Sequence, residues 1–266
     1  MGYGDQLMGS GLARGAAARG KRIALGDGRR ILWDEHSKEI FRGNPNLAPP
    51  GSERDPDIEW VPFYKGHRIY NKRLGPRWKW NFAFHAVPGE LFFDTAELAA
   101  GRRYGTTGFV VIEPQSAQWK SVAANKDWGV RNFQGVADRL KAAGFRIVQF
   151  RGDRSAVALQ GVEQFATRSF RDALAVLAHA ALYIGGEGGL HHGAAAVRIP
   201  AVVLFGGFIP PSVTGYATHT NLTGAAEACG SLNPCPHCRR AMLSISVDDV
   251  FNAAIGHLSE QQRKYG

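Results

Sequence analysis

The second half of the chain alternates short runs rich in apolar residues with segments in which apolar residues recur at helical spacing. The runs predict four buried strands, at 108–113, 145–150, 181–185 and 201–205. The segments between and after them predict helices at 131–143, from Ser169, after the glycines that follow residue 185, and from Ser246. Strands and helices in this order are typical of a parallel sheet with helices on both faces, whose ligands bind beyond the carboxyl ends of the strands.

The first half is less regular and predicts a smaller unit. An alanine-rich stretch that ends at Arg19 predicts a helix, and apolar runs predict strands at 21–25, 30–33 and 58–63. A helical turn is expected at 37–41, and a boundary between the halves near residue 105.

Composition and charge exclude several classes of protein. The chain has 266 residues, 44% of them hydrophobic, so it can build a large core. No apolar run reaches the roughly 18 residues that a membrane helix needs, and the N-terminus lacks the pattern of a secretion signal. The lack of a secretion signal and the presence of only three cysteines favour a location in the reducing cytoplasm. The net charge of +9 favours an anionic partner: a nucleotide, a phosphorylated glycan, an anionic membrane face or nucleic acid.

The glycine-rich segment at 185–196 is the first candidate for chemistry. Glycines after a strand allow a tight turn, and the following helix presents free N–H groups and the positive end of its dipole to an anion. Glu187 and His192 flank that position. The alternative is a glycine-rich turn of purely structural importance, with a packed histidine.

Several segments together resemble the family 9 glycosyltransferases, typified by the bacterial lipopolysaccharide heptosyltransferases. The glycine-rich segment reads E-G-G-L-H-H-G-A-A-A-V-R-I-P-A-V-V-L-F-G-G-F-I-P-P, and V-I-E-P with Asn125-Lys126-Asp127-Trp128 precedes it. Near the start, G-Y-G-D-Q-L-M resembles the glycine–x–glycine–aspartate turn of that family. The motif departs from the family pattern at Glu187, where aspartate is usual, and at Gly188, where serine or threonine is usual.

The resemblance implies an α/β fold of the GT-B type, with two Rossmann-like domains. Residues 1–105 would form a reduced acceptor-side domain that lacks its first strand, and residues 106–266 the nucleotide-sugar-binding domain. The implied activity is inverting, metal-independent transfer of a sugar from a nucleotide-sugar donor to a glycan or lipopolysaccharide-like acceptor. It needs no cofactor and takes place in the bacterial cytoplasm or at the inner membrane face.

The resemblance also assigns roles to residues. Asp5 would be the catalytic base, and the donor would be held by Lys126, Glu187, Gly188, Gly189, Leu190 and His192. A non-catalytic protein that binds a nucleotide sugar or a glycan, descended from such enzymes, is the alternative.

The stretch from Trp60 to Gly89 has no acidic residue and interleaves basic with aromatic side chains. Arginines bind phosphate in a bidentate manner and aromatic rings stack on sugars, so we expect Arg68, Arg73, Arg77 and Trp78 to bind an anionic acceptor. A patch facing an anionic membrane, a nucleic-acid groove and a solvated basic loop are alternatives. No known DNA- or RNA-binding motif favours nucleic acid.

The three cysteines, Cys229, Cys235 and Cys238, lie within ten residues of one another. The C-x-x-C spacing is that of a metal knuckle, but His237 lies inside it and no second C-x-x-C follows. We therefore expect free thiols, with a structural metal as the alternative.

Overall fold

The computed structural model of the protein describes residues 1–102, 108–114, 122–151 and 157–265, so the expected boundary near residue 105 lies outside the described residues. The strands are β1 (Arg22–Gly26), β2 (Ile58–Pro62), β3 (His67–Arg68), β4 (Asn71–Leu74), β5 (Arg77–Trp80), β6 (Phe109–Glu113), β7 (Arg146–Arg151), β8 (Glu163–Ala166), β9 (Leu182–Gly186), β10 (Ala201–Gly206) and β11 (His219–Thr223). The helices are α1 (Tyr3–Gly11), α2 (Ala13–Ala17), α3 (Glu35–Phe41), α4 (Thr95–Arg102), α5 (Val130–Ala142), α6 (Phe170–Leu177), α7 (Gly189–Ala196), α8 (Pro211–Thr214), α9 (Pro236–Leu243) and α10 (Val247–Tyr265). No helix in the described ranges combines the length and the apolarity that a bilayer crossing requires.

A six-stranded parallel sheet of order β11-β10-β9-β6-β7-β8 organises the second half. The expected α/β class and the four expected strands are confirmed. Two strands were not expected, namely the edge strands β8 and β11. Their sequences, E-Q-F-A and H-T-N-L-T, lack an apolar run, because an edge strand leaves much of its surface to solvent.

Side chains on successive residues of the central strands enter opposite layers of core. In β6, Phe109 and Val111 join a cluster that includes α6 and α7, whereas Val110 and Ile112 join the cluster with α5 and α10. The first cluster also includes Leu7 and Phe63. The buried apolar surface therefore continues from the first half of the chain into the second.

The first half forms smaller sheets. Strands β1 and β2 pair in parallel, and β3, β4 and β5 form an antiparallel sheet that we call the basic hairpin sheet, residues 67–80. The strand expected at 30–33 is wrong: Ile31 makes a single bridge to Gly26. The chain turns back at Asp27, whose carboxylate accepts the N–H groups of Arg29 and Arg30, and α3 begins only a few residues later.

One buried arginine joins the two halves. Arg171, on α6, is 1% exposed and donates to both carboxylate oxygens of Glu97, at 2.6 and 2.7 Å. It also donates to the carbonyl oxygens of Phe92, Glu39 and Ile40, at 2.6, 3.1 and 3.3 Å. Hydrogen bonding to Arg171 is the main cause that lowers the pKa of Glu97 to about 2. These contacts hold α3 and α4 against α6.

Replacing Arg171 by methionine should leave the Glu97 carboxylate and three carbonyl groups without their donor. Because breaking a buried ion pair from one side is costly, we expect the free energy of unfolding to fall by about 3–5 kcal/mol in urea titrations. The matched control is Arg168→Met, an exposed residue just before α6 that pairs with Asp172, and this variant should change the free energy of unfolding by less than about 0.5 kcal/mol. Equal losses in the two variants would show that Arg171 does not join the halves.

Candidate functional site

The turn between β9 and α7 leaves space in front of the first turn of the helix. Gly188 precedes α7 with an extended backbone, and a side-chain carbon built on it would approach no closer than 4.0 Å to its nearest neighbour, the Gly186 carbonyl oxygen. At Gly189 the same carbon would lie 3.1 Å from the Phe170 ring. The N–H groups in the first turn of a helix have no partner within it, so an anion can approach from the side of Gly188.

Beside this turn, Glu187 is 7% exposed and is held between two basic side chains. Lys126 forms an ion pair with its carboxylate, and His192 Nε2 lies 3.2 Å from Oε1. Burial by itself would raise the pKa of Glu187, but the Lys126 ammonium and the His192 hydrogen bond hold it well below its usual range. The carboxylate is therefore ionised at neutral pH.

Asp5 lies on α1, which contacts α7 directly. A side-chain carbon on Gly4 would lie 2.7 Å from Cδ2 of His192, so the two helices touch at this point. The Asp5 carboxylate accepts the Tyr70 hydroxyl at 2.5 Å and the Gly2 N–H at 2.8 Å. Asp5 thus directly follows the residue of α1 that touches α7, and 8% of its surface is exposed.

The basic hairpin sheet contributes two side chains to this region. Arg68 Nε lies 3.2 Å from the Asp5 carboxylate, and its guanidinium lies 4.7 Å from the centre of the Trp78 ring. Tyr70 is 8% exposed, and its pKa is raised by burial, by the charge and hydrogen bond of Asp5 and, to a smaller extent, by the charge of Glu187. Both carboxylates of the candidate site therefore raise the pKa of the Tyr70 hydroxyl.

The remaining expected acceptor residues lie elsewhere on the same sheet. Arg73 is exposed and its Nε donates to the Gly75 carbonyl oxygen at 3.2 Å. Arg77 is exposed and bridges to the backbone of Ser231. The structure brings Arg68 to Asp5, with Trp78 beside the guanidinium, but leaves Arg73 and Arg77 exposed to solvent.

Four further side chains were not among the expected site residues. Tyr70 donates its hydroxyl to the Asp5 carboxylate, and the Tyr216 hydroxyl lies 2.8 Å from His192 Nδ1. His191 and His219 are buried beside Tyr216, and burial, followed by the charge of His192, lowers the pKa of His219 to about 4. Three of them lie in segments with a sequence signal: Tyr70 in the basic and aromatic stretch 60–89, His191 in the glycine-rich segment, and Tyr216 at the end of the loop after β10.

Within the described ranges, two groups of side chains have the spacing of metal ligands. Glu187, His191 and His192 form one, but the Lys126 ammonium already occupies its carboxylate. Cys229, Cys235 and Cys238 form the other. Backbone N–H groups, first that of Cys238, lower the pKa of the Cys235 thiol.

Several solved structures with a similar fold are glycosyltransferases by name. A family 9 glycosyltransferase from Veillonella parvula matches with a TM-score of 0.66 at 13% identity, over 98% of this chain and 95% of that one. The iron-containing dodecameric glycosyltransferase TibC from enterotoxigenic E. coli matches with a TM-score of 0.62 at 16% identity, over 100% and 78%. The E. coli ADP-heptose lipopolysaccharide heptosyltransferase II matches with a TM-score of 0.50 at 16% identity, over 65% of this chain and 54% of its own length.

At these identities the likeness concerns the fold, and this chain spans only about half of heptosyltransferase II. No curated protein sequence matches. The sequence model of glycosyltransferase family 9 (heptosyltransferase) matches residues 76–241, more than half of the chain and the part that contains Lys126, the glycine-rich turn and α7. With the parallel sheet and the resemblance of its motifs, this match shows that the chain belongs to glycosyltransferase family 9.

Proposed function

We propose that the protein is an inverting glycosyltransferase that uses a nucleoside diphosphate sugar as donor. The observation that carries this proposal is the convergence of two parts of the chain on one point. The open turn at Gly188, with Lys126 and His192 beside it, would hold a diphosphate, and Gly4 of α1, the residue before Asp5, lies against the same turn. Single-displacement transfer requires a base and an anion site that face each other across one cleft, with room for the sugar between them.

Negative charge grows on the diphosphate as its bond to the sugar breaks. In this proposal the first-turn N–H groups of α7, the Lys126 ammonium and His192 stabilise that charge, which makes a catalytic metal ion unnecessary. Lys126 is paired with Glu187 in the structure, so the diphosphate would share or replace the Glu187 carboxylate as its partner.

The acceptor hydroxyl oxygen would attack the anomeric carbon from the face opposite the diphosphate, and the configuration would invert. Asp5 would take the hydroxyl proton as the oxygen–carbon bond forms. Its hydrogen bond from Tyr70 and its ion pair with Arg68 keep the carboxylate oriented toward the acceptor side.

Donor entry requires a change from the arrangement in the structure. Asp5, Glu187 and His192 are each less than a tenth exposed, and α1 lies directly on α7. We propose that α1 and the basic hairpin sheet move away from α7 when the donor enters, and close again to exclude water from the reaction.

The donor and acceptor classes follow from charge and from the family. A net charge of +9 and the exposed Arg73 and Arg77 suit an anionic glycan or glycolipid acceptor, with peripheral contact to an anionic membrane. Heptosyltransferase II is named as an ADP-heptose enzyme of lipopolysaccharide, so ADP-heptose is the first donor to test.

Replacing Lys126 by alanine should weaken the binding of a nucleoside diphosphate but not of the free nucleoside. Loss of one charge-assisted contact of about 1.5–3 kcal/mol corresponds to roughly tenfold to hundredfold weaker binding in calorimetry. Lys141→Ala, a surface lysine paired with Asp138, is the matched control. Equal losses for diphosphate and nucleoside would remove Lys126 from the phosphate site.

Replacing Gly188 by valine tests the position of the diphosphate without disturbing the core. The backbone there is extended and the space is open, so the variant should fold with an unchanged circular dichroism spectrum. The isopropyl group should block the anion and abolish diphosphate binding. Gly256→Val, on the exposed face of α10, is the control that should bind normally. Normal binding by the Gly188 variant would place the diphosphate elsewhere.

Replacing Asp5 by asparagine keeps the size of the side chain but removes its basicity. Transfer should fall by about 10²–10⁴-fold while donor affinity is preserved. Asp248→Asn, at an exposed position on α10, should transfer at the normal rate. An unchanged rate for the Asp5 variant would exclude it as the base. Tight donor binding by the wild-type protein with neither transfer nor donor hydrolysis would favour the non-catalytic alternative.

A further inference from the structure

The three cysteine sulfurs lie close enough to share one ion. Cys229 Sγ is 3.1 Å from Cys238 Sγ and 3.7 Å from Cys235 Sγ, and all three sulfurs lie within 4.8 Å of one another. In a tetrahedral thiolate site with metal–sulfur bonds of about 2.3 Å, neighbouring sulfurs are about 3.8 Å apart. The sulfurs therefore already stand at the corners of one face of such a site.

Backbone structure, and not a sulfur–sulfur bond, builds this arrangement. Cys235 precedes α9 and Cys238 lies in its first turn, so the helix sets the spacing of these two sulfurs. Cys229 is held by its N–H, which donates to the Gly207 carbonyl oxygen at 3.0 Å. A disulfide has a sulfur–sulfur distance of about 2.05 Å and leaves one of three cysteines unpaired. Reduced thiols in a group of three suit a metal ion better.

His237 does not complete the group, although it lies inside the C-x-x-C segment. Its Nε2 lies 3.0 Å from the Glu227 carbonyl oxygen. No His, Asp or Glu of the described ranges belongs to the group with the three sulfurs, so a solvent molecule or an added thiol would be the fourth ligand. The position of His237 inside the C-x-x-C segment is therefore no obstacle to a metal site, because the three cysteines can bind the ion without it.

The loop that bears the cysteines, residues 229–238, connects two parts of the candidate site. Asn125, which is 1% exposed and precedes Lys126, donates to the carbonyl oxygens of Ser231 and Asn233, and its own oxygen accepts the Cys235 N–H at 2.9 Å. On the other side, the Trp78 N–H donates to the Gly230 carbonyl oxygen at 2.8 Å. A crosslink within this loop would therefore stiffen the supports of both Lys126 and the basic hairpin sheet.

We propose that Cys229, Cys235 and Cys238 bind one thiophilic metal ion, zinc or ferrous iron, as thiolates, and that this ion braces the loop between Lys126 and the basic hairpin sheet. Thiolate sulfur selects these metals over magnesium or calcium. Binding releases the thiol protons and involves no change of oxidation state, so no oxidant or reductant is required. The ion has a positioning role, because it reaches the reaction only through the loop.

Metal analysis of the full chain, purified under reducing, anaerobic conditions with zinc or ferrous iron, tests the binding. We expect one equivalent of metal per chain, lost in Cys235→Ser and in Cys238→Ser but retained in His237→Ala, the matched control from the same loop. Cobalt added to the chelated protein should give thiolate-to-metal charge-transfer absorption that saturates at one equivalent. Cys235 is only partly buried, so its serine variant should fold even where the buried Cys238 variant does not.

The site would be overturned by metal-free folded protein whose three thiols react freely, or by equal metal content in the wild type and the cysteine variants. A disulfide found by mass spectrometry in anaerobic protein would also overturn it.

Hydrogen exchange tests whether the metal ion braces the loop. Chelation should speed amide exchange across 229–238 and at Asn125, and lower the melting temperature. Bound metal without any change in exchange would refute the bracing role.

Discussion

The geometry of the candidate site depends on the buried guanidinium of Arg171. A charge in this position is tolerated only because Glu97 and three backbone carbonyl oxygens surround it, and those partners come from the first half of the chain. The ion pair therefore fixes α3 and α4 against α6. Since α1 packs on α3 as well as on α7, the same contact determines where Asp5 meets the glycine-rich turn.

The site itself is an arrangement of charges that are balanced before any ligand arrives. Glu187 forms an ion pair with Lys126 and a hydrogen bond with His192, and Asp5 forms an ion pair with Arg68. An incoming diphosphate adds negative charge where Glu187 is already ionised, so its binding must redistribute Lys126 between two anions. Burial makes each of these interactions stronger than it would be in water, and an unpaired partner correspondingly costly. The balance explains how so many ionisable groups remain in a closed interface.

The basic hairpin sheet contacts three parts of the region around the candidate site: Asp5, Phe208 and the loop at 229–238. Tyr70 contacts Asp5, Trp80 meets the Phe208 ring edge-on at 5.7 Å, and Trp78 is bonded to the loop of the cysteines. Its exposed strand residues carry the positive charge, while its aromatic rings turn inward. The same short sheet thus supports the base on one side and presents basic residues to solvent on the other.

Local pattern by itself determined the central part of this protein. The four apolar runs predicted β6, β7, β9 and β10, because strands covered on both faces need apolar residues at successive positions. The motifs around Lys126 and Glu187 indicated the family, which the match over 76–241 confirmed. Tertiary structure alone decided the edge strands, the antiparallel pairing of 67–80, the partners of Arg171 and Tyr70, and the meeting of the three sulfurs. Periodicity reports which face of an element is buried, but the partner of a buried charge, hydroxyl or thiol comes from a distant part of the chain.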